Sequence, residues 1–135
     1  MTRTCLVVDD DPAVRTYVET IMARRHFETL QAEDGVKGLR LAQEMGVALD
    51  LIVTDIEMPG GDGLTFITTL RLSLPAIPVI MISGIDLPDG VHRPVCEFVP
   101  KPFSPKMLLD ALDRTLLTLG PSEAGPQNGG GPATS

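Results

Sequence analysis

The chain has 135 residues, of which 43% are hydrophobic, enough for one globular core but not for a second domain of similar size. Its formal net charge of −7 argues against direct binding to nucleic acid, which requires clustered Lys and Arg. No segment approaches the roughly 20 apolar residues of a membrane span, and no signal-peptide pattern precedes the first strand. We therefore expect a cytoplasmic protein that contacts neither a membrane nor nucleic acid directly.

The chain has only two cysteines and two histidines, which argues against a disulfide framework, a zinc site or a histidine-based catalytic triad. Cys5 and Cys96 fall in the first and last predicted strands, too far apart to form a bridge, and we expect two buried thiols. His26 and His92 have no His or Cys neighbour at ligand spacing.

Short runs rich in Val, Ile and Leu alternate with helical patterns, which predicts five βα units around a parallel sheet. We expect strands at residues 5–8, 27–31, 51–54 and 77–82, and a fifth in the run EFVP. The first run, residues 5–8, is apolar at consecutive positions, as in a strand that is covered on both faces, whereas residues 27–31 form a weaker strand pattern.

Helical patterns follow the first, second, third and fifth strands. Pro12 opens the first helix, Gly46 ends the second, and Ser104 and Pro105 form the cap and first residue of the last. The apolar faces are predicted to comprise, in chain order, Val14, Val18, Ile21 and Met22; Val36, Leu39, Ala42 and Met45; Leu64, Ile67 and Leu70; and Leu108, Ala111, Leu112, Thr115, Leu116 and Leu119.

Polar residues stand where four of these strands end. Asp9 and Asp10 close the first, Asp55 the third and Ser83 the fourth, and Lys101 follows the fifth. Parallel α/β sheets gather such ends along one edge, where ligands bind.

Carboxylates packed at one edge repel each other unless a cation or a shared proton compensates them. An all-oxygen set with open positions suits Mg²⁺, which binds phosphate oxygens while keeping several waters. We expect Asp10 and Asp55 to be direct Mg²⁺ ligands, with Asp9 acting through a water. An ionised Asp can attack phosphorus to form an acyl phosphate, while Lys101 neutralises charge and Ser83 donates a hydroxyl.

Each of these residues also has an ordinary structural explanation. Asp11 is best explained as a helix cap, and Asp9 could be a cap or a ligand with equal weight. Asp55 and Ser83 could be turn residues and Lys101 a solvated side chain. The coincidence of five such residues at one predicted edge favours a functional site.

The segments LVVDDDP, DLIVTDIEMPGGDG, VIMISG and FVPKPF resemble the four signatures of the receiver domain of two-component response regulators, in particular the single-domain chemotaxis type. The resemblance covers residues 3 to about 119. It implies an α/β fold, a flavodoxin-like (βα)5 three-layer sandwich with a parallel sheet of order 2-1-3-4-5. Residues 1–120 would form the receiver domain, followed by a disordered Gly/Pro-rich tail at 121–135.

The resemblance also implies roles for individual residues. Asp55 would be the phosphoacceptor, Asp9 and Asp10 the acidic pair, and the backbone carbonyl of Glu57 a further Mg²⁺ ligand. Ser83 and Lys101 would contact the phosphoryl group. Phe98 would occupy the aromatic switch position, and the Lys101–Pro102 bond would be cis. The phosphoryl donor would be a sensor histidine kinase or a phosphotransfer protein, and the downstream protein is unknown.

One region departs from the family pattern. Residues 84–100 are several residues short of the usual length and carry Pro88, Gly90, Pro94 and Pro100. An interior proline costs a helix about 3 kcal/mol, so we expect the family's fourth helix to be shortened or missing. Many receivers use that helix in the face that binds targets or a second copy.

Three functions of different class remain open. The first is a phosphoacceptor receiver, which is not an enzyme beyond self-phosphorylation and slow self-dephosphorylation. The second is a receiver-like interaction module that signals without phosphorylation. The third is an aspartyl-phosphate phosphatase or phosphotransferase, disfavoured because no cap domain encloses a substrate and no second acid with an assigned role follows Asp55.

Overall fold

The structure, a computed structural model, describes residues 2–56, 63–84 and 96–119. Within these ranges the chain forms five strands and four α-helices. The strands are β1 (Arg3–Val8), β2 (Phe27–Ala32), β3 (Leu51–Asp55), β4 (Val79–Ser83) and β5 (Cys96–Pro100). The helices are α1 (Pro12–Met22), α2 (Gly35–Met45), α3 (Gly63–Ser73) and α4 (Pro105–Leu119).

The five strands form one parallel sheet in the order β2-β1-β3-β4-β5, which confirms the predicted topology. The order places β1 beside β3, with Val8 opposite Thr54. The residues that follow Val8 therefore emerge next to Asp55, the last residue of β3. This adjacency builds the site described below.

Two hydrophobic layers cover the sheet. On one face α1 and α4 pack against Cys5, Val7 and other strand residues, and on the other face α2 and α3 pack against Leu6 and Val8. Successive side chains of a strand point to opposite faces, so a doubly covered strand must be apolar throughout. The fold is an αβα sandwich whose carboxyl edge is left for polar groups.

The predicted helix ends agree with the capping contacts. Asp11 is the N-cap of α1, and its Oδ1 accepts the Ala13 amide at 2.9 Å. Ser104 caps α4 by accepting the Met107 amide at 3.2 Å. Gly46 follows α2 with a φ of +54°, a backbone conformation that side chains disfavour.

Some sequence predictions were wrong in detail. Val36 is 69% exposed and takes no part in the core, because the buried face of α2 is centred on Gly38 and Ala42 instead. The fourth strand begins at Val79 rather than at residue 77, consistent with Pro78, which has no N–H to give to the ladder. β1 begins at Arg3 because its first two residues already pair with β2.

Several predictions fall on other parts of the chain. The structure does not describe the residues on which four predictions depend: the shortened or missing helix of the family pattern between β4 and β5, the backbone carbonyl of Glu57, His92, and the 121–135 tail. The side chains of Cys96, Leu64 and Leu119 also lie outside the described part, whereas Cys5 is buried as expected. Among the described helices, none has the length and apolar character needed to cross a bilayer.

Candidate functional site

Three carboxylates converge at the carboxyl edge of the sheet. Carboxylate oxygens of Asp9, Asp10 and Asp55 all lie within 4.8 Å of one another. Asp9 is 1% exposed and Asp55 is 3% exposed, whereas Asp10 faces solvent. Two ionisable groups are thus buried beside a third, an arrangement that an apolar sheet tolerates only when opposite charge is supplied.

Lys101 supplies one such charge. Its Nζ lies 3.0 Å from Asp55 Oδ2 and 3.4 Å from Asp9 Oδ2. Its backbone N–H donates to the carbonyl of Ser83 at 2.8 Å, which ties the loop after β5 to the end of β4. The Lys101–Pro102 peptide bond that follows is cis. The ammonium group is therefore fixed over both buried carboxylates.

Burial and neighbouring charges shift the pKa values of Asp9 and Lys101. Burial raises the pKa of Asp9 above its usual value, and the neighbouring Asp55 charge adds to the rise, although the Asp11 amide and Lys101 oppose it. Burial lowers the pKa of Lys101, but its hydrogen bond to Asp55 and the charges of both carboxylates outweigh this, so the pKa is raised. Lys101 is therefore positively charged at neutral pH.

Asp9 is held on its backbone and its side chain. Its N–H donates to the Ala32 carbonyl at 3.1 Å, and its Oδ1 accepts the Asp11 amide at 2.9 Å. Its own carbonyl accepts from Arg15 Nη1 at 2.7 Å. The sequence did not predict a role for Arg15. Its position one turn into the helix after the acidic pair is the one feature of the sequence that could have suggested it.

Ser83 and Phe98 lie on the strands beyond β3. Ser83 is fully buried at the end of β4, one residue past Ile82, the register partner of Asp55. Phe98 lies on β5, is partly buried and packs against the hydrophobic layer of α2 and α3. Phe98 also lines a cavity of about 170 Å³ beside α4, together with Met107 and other residues.

The charges and donor atoms of the site fit a divalent cation. Among these four described groups, three carboxylates meet one ammonium group, so carboxylates outnumber the cation that contacts them. The donors are hard oxygens, and the exposure of Asp10 leaves the cluster open to solvent on one side. Mg²⁺ prefers such a set, because it keeps several waters and binds few carboxylates. The residues present therefore match the site expected for Mg²⁺ in receiver domains.

Comparison with known families identifies the class of the protein. Residues 5–113 match the response regulator receiver domain, and the chain belongs to that family. Receiver domains act in two-component signalling as phosphoacceptors and pair with histidine kinases. The chain is therefore a signalling domain and not an enzyme that turns over a separate substrate.

Curated relatives include a sensor kinase and a transcriptional activator. The chain is 34% identical over 118 residues to the sensor kinase CckA of Brucella abortus, a match that covers 84% of this chain and 12% of that protein. It is 37% identical over 103 residues to the transcriptional activator PfeR of Pseudomonas aeruginosa, covering 73% of this chain and 33% of that protein. The chain thus spans less than half the length of either relative.

Solved structures of similar fold include a chemotaxis regulator and a kinase receiver. The chemotaxis protein CheY4 of Vibrio cholerae is 27% identical, with a TM-score of 0.75 over 86% of this chain and 100% of that chain. The receiver domain of the hybrid histidine kinase CckA is 33% identical, with a TM-score of 0.72 over 83% of this chain and 97% of that chain. The resemblance of this chain to CheY-like receivers is confirmed.

Proposed function

We propose that this chain is a phosphoacceptor receiver in which Asp55 takes a phosphoryl group from a histidine kinase or a phosphotransfer protein. The observation that carries the proposal is the site itself. Asp55 ends the central strand within 4.8 Å of two further carboxylates, and Lys101 Nζ lies 3.0 Å from its Oδ2. This arrangement places one nucleophilic oxygen among groups that compensate the charge of an incoming phosphate.

The proposed step is a direct displacement at phosphorus. An oxygen of the Asp55 carboxylate forms a bond to phosphorus while the P–N bond of a donor phosphohistidine breaks, and the electron pair stays on the imidazole nitrogen. The product is an acyl phosphate on Asp55. An ionised carboxylate needs no general base for this attack.

The other residues of the site have complementary roles in this proposal. Bound Mg²⁺ would supply positive charge to the phosphoryl oxygens. Asp10, Asp55 and the backbone carbonyl of Glu57 would hold it directly, and Asp9 through a water. Lys101, positively charged and already fixed at the site, would exchange part of its contact with Asp55 for a phosphoryl oxygen.

Signalling would follow from the neighbouring strands. We propose that Ser83 donates its hydroxyl to the phosphoryl group and that Phe98, two strands from Asp55, changes its packing in response. The receiver domain would comprise residues 1–120, with 121–135 as a tail, and would act in the cytoplasm on an unidentified downstream protein.

The test is intact-mass spectrometry after incubation with acetyl phosphate, with and without Mg²⁺. We expect a labile adduct of one phosphoryl group on the wild-type chain in Mg²⁺ only, and none on Asp55→Asn. Asp113→Asn is the matched control, because Asp113 is a distant carboxylate paired with Arg25, and it should react like the wild type. An adduct on Asp55→Asn would contradict the proposal. A wild-type chain that binds Mg²⁺ but never reacts would favour an interaction module that works without phosphorylation.

A further inference from the structure

Arg15 makes contacts that neither the helix nor the core requires. It lies in the second turn of α1, is partly buried, and donates from Nη1 to the Asp9 carbonyl at 2.7 Å. Its Nε donates to Oε1 of Gln31 at 3.0 Å. We propose that Arg15 is a positioning residue that orients the acidic pair for metal binding and phosphorylation. This inference rests on the proposed function of the site.

The carbonyl that Arg15 holds belongs to the peptide unit that joins Asp9 to Asp10. That unit is planar, so fixing its oxygen also fixes the direction in which the Asp10 Cα leaves the turn. Asp10 is exposed and has little packing around its side chain to orient it. The guanidinium of Arg15 therefore restrains, through the backbone, a carboxylate that is proposed to bind the metal directly.

A second residue anchors the guanidinium. Gln31, in the edge strand β2, accepts from Arg15 through Oε1 and donates through Nε2 to Glu19 Oε1 at 2.6 Å. These hydrogen bonds form a continuous network that links α1, β2 and the turn after β1. It runs from Glu19 through Gln31 and Arg15 to Asp9. Because the amide of Gln31 is engaged at both ends, Arg15 is held in one orientation, which a flexible side chain would not keep alone.

Geometry and charge predict opposite effects of removing Arg15. If Arg15 acted only through its positive charge, it would repel Mg²⁺ from the cluster, and its loss would strengthen Mg²⁺ binding. If it acts by positioning, its loss frees the peptide between Asp9 and Asp10 and weakens Mg²⁺ binding. Lysine keeps the charge, but its single nitrogen lacks the planar fork that reaches Asp9 and Gln31 together.

The experiment measures Mg²⁺ affinity by calorimetry and the rate of Asp55 phosphorylation by acetyl phosphate at saturating Mg²⁺. For Arg15→Ala we expect a roughly tenfold weaker Mg²⁺ affinity, the scale of lost support behind a metal ligand, and a several-fold lower rate. Arg15→Lys should recover part of both losses. Arg25→Ala is the matched control, since it removes the same charge from an exposed ion pair with Asp113 and should leave both values unchanged.

The outcomes separate this inference from the proposed function. Unchanged or tighter Mg²⁺ binding by Arg15→Ala would overturn the positioning role. If the wild type binds Mg²⁺ but accepts no phosphoryl group, the proposed function fails and the affinities alone decide the role of Arg15. If Arg15→Ala does not fold, Arg15→Lys and Gln31→Leu decide instead, with weaker Mg²⁺ binding in support and wild-type affinity against. A wild type that binds no Mg²⁺ would overturn both proposals.

Discussion

The interior of the sheet and its carboxyl edge are built on opposite principles. In the interior, Leu6, Ile52 and Ile80 are fully buried among other apolar side chains, a pattern that favours folding. At the edge, Asp9 and Asp55 are nearly as buried but carry like charges within 4.8 Å of a third carboxylate. The same strands therefore stabilise the fold along their length, and at their ends they hold a charged cluster that lowers stability and serves the proposed function.

The difference predicts that substitutions in the two regions change stability in opposite directions. A change that removes packing from the interior should always destabilise the protein. A change that removes charge from the edge should leave the metal-free fold intact or more stable while it abolishes function. Four measurements, from the largest expected effect to the smallest, test this contrast.

Leu6→Ala should give the largest loss of stability. Leu6 is fully buried on the face covered by α2 and α3, and truncation leaves a cavity there. We expect the free energy of unfolding in urea to fall by about 3 kcal/mol. The control is Leu72→Ala, since Leu72 is 84% exposed and its loss should change stability little. Equal effects of the two substitutions would contradict the placement of the core.

Mg²⁺ bound at the carboxyl edge should stabilise the folded protein, and this gain should not depend on packing in the interior. At a free Mg²⁺ concentration ten times the Kd, mass action adds about 1.4 kcal/mol to the free energy of unfolding. The gain should persist in Leu6→Ala and Asp113→Asn but be much smaller in Asp10→Asn, which lacks a proposed ligand. Urea titrations with and without Mg²⁺ measure it. An undiminished gain in Asp10→Asn would place the cation elsewhere.

Gly38→Ala should show how tightly the interior is packed. A Cβ at Gly38 would lie 2.9 Å from Val8 Cγ2 and 3.3 Å from Phe66 Cε1, both on buried side chains. Overpacking of this kind lowers the free energy of unfolding by about 2 kcal/mol, and the higher helix propensity of alanine raises it by about 1 kcal/mol. We expect a net loss of about 1 kcal/mol in thermal or urea unfolding. A stabilised variant would mean that the contact between α2 and β1 relaxes freely.

Asp9→Asn should have the smallest effect, and one of opposite sign. Burial raises the pKa of Asp9 in the folded state, so its protonated form stabilises the fold below the usual value of 3.8, and that contribution is lost as pH rises through the raised pKa. The metal-free variant should thus gain up to roughly 1 kcal/mol over the wild type at pH 7. The gain should shrink as the pH is lowered through the raised pKa. A variant less stable than the wild type at pH 7 would contradict this account.

The sequence predicts the interior and the edge through different signals. Short strand-like runs that alternate with helical patterns were enough to predict the parallel sheet, because parallel neighbours need a crossover connection that is usually a helix. Asp10, Asp55 and Lys101 could be placed at one edge because parallel strands end together. The strand order itself came from the family resemblance and was confirmed.

What the sequence could not predict depends on contacts between distant segments. Val36 has the spacing of a core residue, but the rotation of α2 is set by the close approach of Gly38 to β1, and Val36 faces solvent. Arg15 and Gln31 meet only because β2 lies beside β1. No local pattern marks such a pair, whereas caps such as Asp11 are local and were predicted.

The central claim is that Asp55 is the residue that carries the phosphoryl group. The most direct measurement is borohydride reduction of the wild-type chain after reaction with acetyl phosphate and Mg²⁺, followed by peptide mass spectrometry. An acyl phosphate is reduced by borohydride to an alcohol, so we predict homoserine at position 55 and unchanged aspartate at positions 9 and 10. Homoserine at position 9 or 10, with Asp55 intact, would contradict the account.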